Sequence, residues 1–140
     1  MAKPIKILLV EDSKFVRIAT ERALARAGYE IFSAGDGDEA VVLARQKQPD
    51  LILLDMLLPK RSGEEVLRLL KRDPETRSTP VVVMTGLSEK NAERLLQDGA
   101  SGFLEKSALD LEHGADKLIE ALSAIMKNLS SVPARTGTPA

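Results

Sequence analysis

Five side chains in this sequence would perform one kind of chemistry if the fold brought them together: Glu11, Asp12, Asp55, Thr85 and Lys106. Each lies at or just after the end of a short apolar run. Three carboxylates at one place repel one another and resist joint ionisation. A hard divalent cation removes that conflict. Mg²⁺ takes a few carboxylate oxygens together with water and phosphate rather than a full protein cage. Lys106 adds a compact positive charge suited to a phosphoryl oxygen or to Asp55 itself, and Thr85 adds a hydroxyl donor. Together they describe a Mg²⁺-dependent phosphoryl site with Asp55 as nucleophile. Taken singly, each residue has a plainer reading. Asp55 alone is a solvated strand end, and Glu11-Asp12 alone is an acidic entry to a helix. Thr85 alone is a cap or a strand residue, and Lys106 alone is a surface lysine. Only the set carries the chemistry.

The elements that must position these groups are legible as an alternation. Ile5 to Val10 is apolar apart from Lys6 and reads as a buried strand. Ser13 can cap a helix running to about Ala27 and stopped by Gly28. Tyr29 to Ala34 is a second strand, followed by the turn Gly35-Asp36-Gly37 and a helix capped by Asp38 that Pro49 ends after Gln48. Leu51 to Leu54 is a third strand, and a loop with Pro59 and Gly63 leads to a helix from Glu64 to about Arg72. Val81 to Met84 is a fourth strand, Ser88 caps a helix ending near Asp98, Phe103-Leu104 marks a fifth strand, and a last helix spans about Leu111 to Leu129. Strands alternating with helices through short connections give an α/β, doubly wound parallel sheet covered on both faces. In such sheets the binding crevice lies beyond the carboxyl ends of the strands. Those ends are where the acids, the threonine and the lysine stand. The second strand ends in Ser33-Ala34 and offers no comparable group.

Length and composition narrow the classes. The chain has 140 residues, enough for one domain, with 44% hydrophobic and 29% charged residues and a net charge of −1. That balance gives no bulk-charge case for nucleic-acid or membrane binding. With no cysteine, disulfides and thiolate metal sites are excluded. No leader is read at the start, and no apolar run approaches the roughly 20 residues needed to span a bilayer. The stretch 130–140 is rich in Ser, Thr, Pro, Gly and Ala and is expected to be a disordered tail or linker stub after a domain at 1–129.

Four segments, in order, resemble the receiver domain of bacterial response regulators. They are Leu8-Leu9-Val10-Glu11-Asp12, Asp50 to Pro59 with Gly63 beyond it, Val83-Met84-Thr85-Gly86, and Gly99 to Lys106. The resemblance covers about Ile5 to Leu129 and implies a flavodoxin-like sheet of order 2-1-3-4-5, the order known for chemotaxis receivers. It further implies a cytoplasmic two-component signalling protein, monomeric or weakly dimeric, that accepts a phosphoryl group on Asp55 from a histidine kinase or histidine phosphotransferase. By the same resemblance Mg²⁺ is held by Glu11, Asp12, Asp55 and the backbone carbonyl of Leu57. Thr85 and Lys106 bind the phosphoryl oxygens. Phe103 turns inward when Thr85 moves, and the face of the fourth helix, fifth strand and fifth helix then changes shape for a downstream effector. The sequence departs from the family in one place. Ser107 stands where a proline usually follows the lysine through a cis bond, a geometry that costs roughly 2.5–4 kcal/mol before a non-proline residue.

Other classes fit less well. A haloacid-dehalogenase-type phosphatase needs a proton donor two residues after the nucleophile, where this chain has Leu57. A flavodoxin-like electron carrier needs a hydroxyl-rich loop after the first strand and aromatic cover, whereas this chain has Glu11-Asp12 and a single tyrosine. A receiver-like interaction module that is never phosphorylated would share every feature of the fold. On the first helix, Val16, Thr20, Ala23 and Ala27 are expected to face the sheet, leaving Phe15, Ile18 and Arg22 on a flank that a phosphodonor helix could touch. The resemblance to receivers implies that Leu57 and Leu87 border the path of water to the phosphorus; Glu64 and Arg68 are expected to form a solvated helix face, and His113 to lie on the surface.

Overall fold

The computed structural model describes residues 3–85, 89–105 and 116–130. Apolar runs too short for helices become strands, and the three inner ones are buried because helices cover both faces of the sheet, while the two edge strands are mostly half-buried. The strands are β1 (Lys6–Val10), β2 (Glu30–Ala34), β3 (Leu51–Asp55), β4 (Val81–Thr85) and β5 (Gly102–Glu105). Between and after them run α1 (Lys14–Arg26), α2 (Gly37–Lys47), α3 (Gly63–Arg72), α4 (Glu89–Gln97) and α5 (Asp116–Ser130). All pairings are parallel and the order is β2-β1-β3-β4-β5. The expected order and element count are therefore what the chain adopts.

Successive strand residues point to opposite faces, and this splits the core in two. Leu8, Val10, Ile52, Leu54, Val81 and Val83 pack with Ala40 and Ala44 of α2, Val66, Leu67 and Leu70 of α3, and Leu95 of α4. Ile7, Leu9, Leu51, Leu53, Val82 and Met84 pack with Ala23 and Leu24 of α1 and Leu118 and Leu122 of α5. Burying one such side chain contributes about 1.5–3 kcal/mol, so the central strands β1 and β3 anchor the carboxyl edge of the sheet firmly.

The helix ends show what local chemistry decided. Ser13 caps α1 by accepting from the Val16 N–H at 3.4 Å, as its position suggested. Gly28 (φ 97°) and Gly99 (φ 113°) take the left-handed conformation that closes α1 and α4. There the N–H groups of Tyr29 and Ala100 reach back to the carbonyls of Leu24 and Leu95. Three expectations are corrected. Asp36, not Asp38, caps α2: its carboxylate accepts from the Glu39 N–H at 2.9 Å, while Asp38 is engaged by the Arg61 guanidinium at 2.7 Å. Helix α3 begins at Gly63 rather than Glu64, because Ser62 and Glu65 form a reciprocal capping box. On α1 the inward stripe is Thr20, Ala23 and Leu24. Val16 is only half-buried, and Ala27 is an exposed cap, because the helix ends before it can turn that position to the sheet. Helix α5 reaches Ser130, one residue past the expected boundary. The rest of the expected tail, together with Leu87, Ser88, Lys106, Ser107 and the start expected for the last helix at Leu111 to His113, lies outside the described residues.

Candidate functional site

The connections from β1 to β2 and from β1's other neighbour β3 onward diverge to opposite sides of the sheet, so the crevice between the carboxyl ends of β1 and β3 is the topological switch point. The acids stand there. Asp55 is the last residue of β3, paired in register with Met84 of β4. Glu11 follows Val10, the last residue of β1, and its N–H donates to the Ala34 carbonyl at 3.0 Å, which continues the sheet by one step. Asp12 comes next, before the Ser13 cap of α1.

One carboxylate oxygen from each of Glu11, Asp12 and Asp55 lies within 4.8 Å of the others. Glu11 and Asp55 are 1% and 2% exposed, whereas Asp12 is open to solvent. Two like unit charges at such a separation repel by roughly 3–4 kcal/mol at an effective dielectric of ~20, before any counter-charge is counted. Oxygen ligands around Mg²⁺ sit at about 2.0–2.1 Å, hence roughly 3 Å from an adjacent ligand and 4 Å from an opposite one. The spacing and the all-oxygen donor set fit a hard divalent cation held by one exposed and two buried carboxylates, with its outer side left to solvent or substrate.

Backbone groups hold these acids in place. The Ser13 N–H donates to Glu11 Oε2 at 3.1 Å, and the Arg17 guanidinium donates to the Glu11 carbonyl at 3.1 Å. The Leu57 N–H donates to Asp55 Oδ1 at 3.2 Å, which brings the Leu57 backbone to the carboxylate, while the Leu57 side chain is 79% exposed at the mouth. Gly63 closes this loop. Its N–H donates to the Met56 carbonyl at 3.1 Å, and a Cβ there would sit 2.6 Å from Met56 Cα and 2.7 Å from the Asp55 carbonyl oxygen. Two ion pairs, Lys60–Asp36 at 3.4 Å and Arg61–Asp38 at 2.7 Å, tie the loop to the start of α2.

The fold thus brings together Glu11, Asp12, Asp55 and the backbone of Leu57. Thr85 closes β4 opposite Glu105 in register. Phe103 lies on the edge strand β5, half-buried against the core on the α2–α3–α4 side. Residue-by-residue reading missed the amide of Ser13, the guanidinium of Arg17 and the amide of Leu57. The two amides leave no trace in side-chain identity. Arg17 is one turn into α1 and reads there as an ordinary helix-surface cation.

A family model for the response regulator receiver domain matches residues 7–122. The chain is 38% identical over 104 residues to the polar-differentiation response regulator DivK of Brucella anthropi, covering 74% of this chain and 85% of that protein. It is 40% identical over 113 residues to the gliding motility regulatory protein of Myxococcus xanthus, covering 79% of this chain but 14% of that longer one. Among solved structures, the chemotaxis response regulator CheY4 of Vibrio cholerae matches with a TM-score of 0.79 at 28% identity, covering 88% of this chain and 99% of that one. The phosphorylated cyanobacterial phytochrome response regulator RcpA matches with a TM-score of 0.77 at 29% identity, covering 94% and 99%. The chain belongs to the receiver-domain family of two-component response regulators.

Proposed function

We propose that this receiver is a phosphoacceptor and that Asp55 carries the phosphoryl group. The observation that carries the reading is the cluster of Glu11, Asp12 and Asp55 at the switch point of the sheet. Asp55 attacks in line: one of its carboxylate oxygens forms a bond to phosphorus as the bond from phosphorus to the donor's imidazole nitrogen, or to the oxygen of an acyl phosphate, breaks. The hydrogen bond from the Leu57 N–H to Oδ1 orients the carboxylate for that attack. Glu11, Asp12, Asp55 and the Leu57 carbonyl are the groups that would hold Mg²⁺, which supplies charge neutralisation for an anionic nucleophile meeting an anionic phosphoryl group. By the family likeness, Thr85 and Lys106 bind the phosphoryl oxygens, and Phe103 and the α4–β5–α5 face carry the change to an effector.

Receiver domains work between kinases and effectors. For this chain a histidine kinase or histidine phosphotransferase is the proposed donor, and the cytoplasm is the proposed place. No helix among the described residues is long and apolar enough to cross a membrane. The metal half of the reading is tested by thermal unfolding. Millimolar Mg²⁺ should raise the melting temperature of the wild type by mass action. Asp12→Ala should lose most of that rise, and Glu75→Ala, at an exposed turn, should keep it. A wild type indifferent to Mg²⁺ would remove the site.

A further inference from the structure

The outer face of α3 carries a second concavity, a groove of about 200 Å³ lined by Arg61, Glu65, Arg68, Leu69 and Arg72. Its positions recur at steps of four, three and four from Arg61 through Glu65, Arg68 and Arg72, the spacing of one helix face. The opposite face holds the buried Gly63, Val66, Leu67 and Leu70, so the groove belongs to the side of α3 that the core does not use. Three guanidinium groups and one carboxylate line it, in a chain whose net charge is −1.

The cations are unequally engaged. Arg61 is held by Asp38 at 2.7 Å and stands only 3.8 Å from Glu65. Arg68 reaches Glu64 at 3.5 Å, but Arg94 of α4 holds the same Glu64 oxygen at 2.7 Å and is the nearer partner. Arg72 forms no ion pair among the described residues. A solvated helix face normally pairs its charges along itself, as Glu64 does here. Here Arg72 is unpaired among the described residues and Arg68, one helical turn before it, shares its carboxylate with Arg94, with the half-buried Leu69 beside both.

We infer that this groove docks an acidic segment of a partner protein, one presenting carboxylates about one helical turn apart with an apolar side chain between them. Arg68 and Arg72 would each take a carboxylate in the fork geometry that guanidinium offers. Leu69 would take the apolar side chain. Glu65 argues for a peptide over a compact polyanion: its carboxylate inside the lining repels dense negative charge, which spaced carboxylates avoid. The inference does not depend on phosphorylation of Asp55.

The test uses the full chain and backbone amide chemical shifts. The probe is a short helical peptide with Glu at i and i+4 and Leu between them. Its controls are the same peptide with Gln for Glu, and inorganic tripolyphosphate. The Glu peptide should shift the amides of Arg61, Glu65, Arg68, Leu69 and Arg72, and binding should weaken steeply between low salt and about 0.15 M, where the screening length is ~8 Å. Arg68→Glu with Arg72→Glu should weaken it about tenfold or more. Arg22→Glu, on exposed α1 surface, should leave it unchanged. If the double reversal melts early, Arg68→Gln with Arg72→Gln serves in its place with the same expected loss. Equal binding of the Gln peptide, tripolyphosphate shifting these amides while the Glu peptide does not, self-association lost in the reversed variant, or silent α3 amides would each overturn the inference.

Discussion

Replacing Gly63 by alanine probes the loop that orients Asp55 without changing the side chain of any proposed ligand. Gly63 does not have a positive φ, so alanine meets no dihedral penalty. The space is what forbids it. The new Cβ would lie 2.6 Å from Met56 Cα, 2.7 Å from the Asp55 carbonyl oxygen and 2.8 Å from Met56 Sδ. Carbon atoms settle at about 3.5–4.0 Å, so the backbone after β3 must retreat by roughly 1 Å. Two of the three obstructing atoms are main chain and cannot rotate away. Overpacking of this kind costs about 1–3 kcal/mol. The smaller entropy of an unfolded alanine chain returns about 0.4–1 kcal/mol. The net loss is then about 1–2 kcal/mol, or a melting temperature lower by roughly 3–8 °C for a domain of this size. The same retreat moves the Leu57 N–H away from Asp55 Oδ1, so the Mg²⁺-dependent rise in melting temperature should shrink as well. Circular dichroism melts across a Mg²⁺ titration read both effects. A variant as stable as the wild type, with an unchanged metal response, would refute the reasoning.

Three further outcomes are expected. Leu57 is 79% exposed at the mouth, and neither it nor Leu87 can position a water for attack on phosphorus, so Leu57→Asn and Leu87→Glu should each speed decay of the phosphorylated protein and the pair should be fastest; decay at the wild-type rate would show that the leucines are not the barrier. The Asp36 carboxyl is held below the ordinary carboxylate value of 3.8, first by the Glu39 N–H that it caps and also by the charge of Lys60. A lowered value makes ionised Asp36 stabilising above its unfolded-state pKa, with the contribution lost as pH falls through the folded value; below about pH 4 the wild type should therefore lose stability relative to Asp36→Asn in urea unfolding, and parallel pH profiles would contradict this. Phe15 is 71% exposed on α1, so Phe15→Ser with Ile18→Ser should slow transfer from a cognate protein donor while leaving acetyl phosphate labelling intact, and unchanged donor kinetics would dispose of that contact.

What could be read from the residues, and what could not, divides along a physical line. Strands buried on both faces appear as unbroken apolar runs, so Leu51–Asp55 and Val81–Thr85 were legible, and the polar residues ending them marked the site edge. Helix ends governed by a local signal, such as Ser13, Gly28 and Gly99, were legible for the same reason. The cap of α2 was not. Three candidates stand together at Asp36, Gly37 and Asp38, and what separates Asp36 from Asp38 is Arg61, 23 positions away in sequence, which engages Asp38. Ala27 lies on the right side of an ideal helix wheel, but α1 stops at Arg26 and the residue becomes a cap. The three clustered carboxylates, Glu11, Asp12 and Asp55, could be named in advance, since a cluster of like charges has few uses. The amides of Ser13 and Leu57 that hold them could not, because every residue but proline carries one.

The most direct test of the account is intact-mass analysis after incubation with acetyl phosphate. With Mg²⁺ the wild type should gain a single phosphoryl group, labile in base, whereas EDTA or Asp55→Asn should abolish the gain. Labelling of the Asn variant to the wild-type level, or labelling that proceeds unchanged in EDTA, would contradict the assignment of Asp55 as the phosphoacceptor in a metal-assisted site.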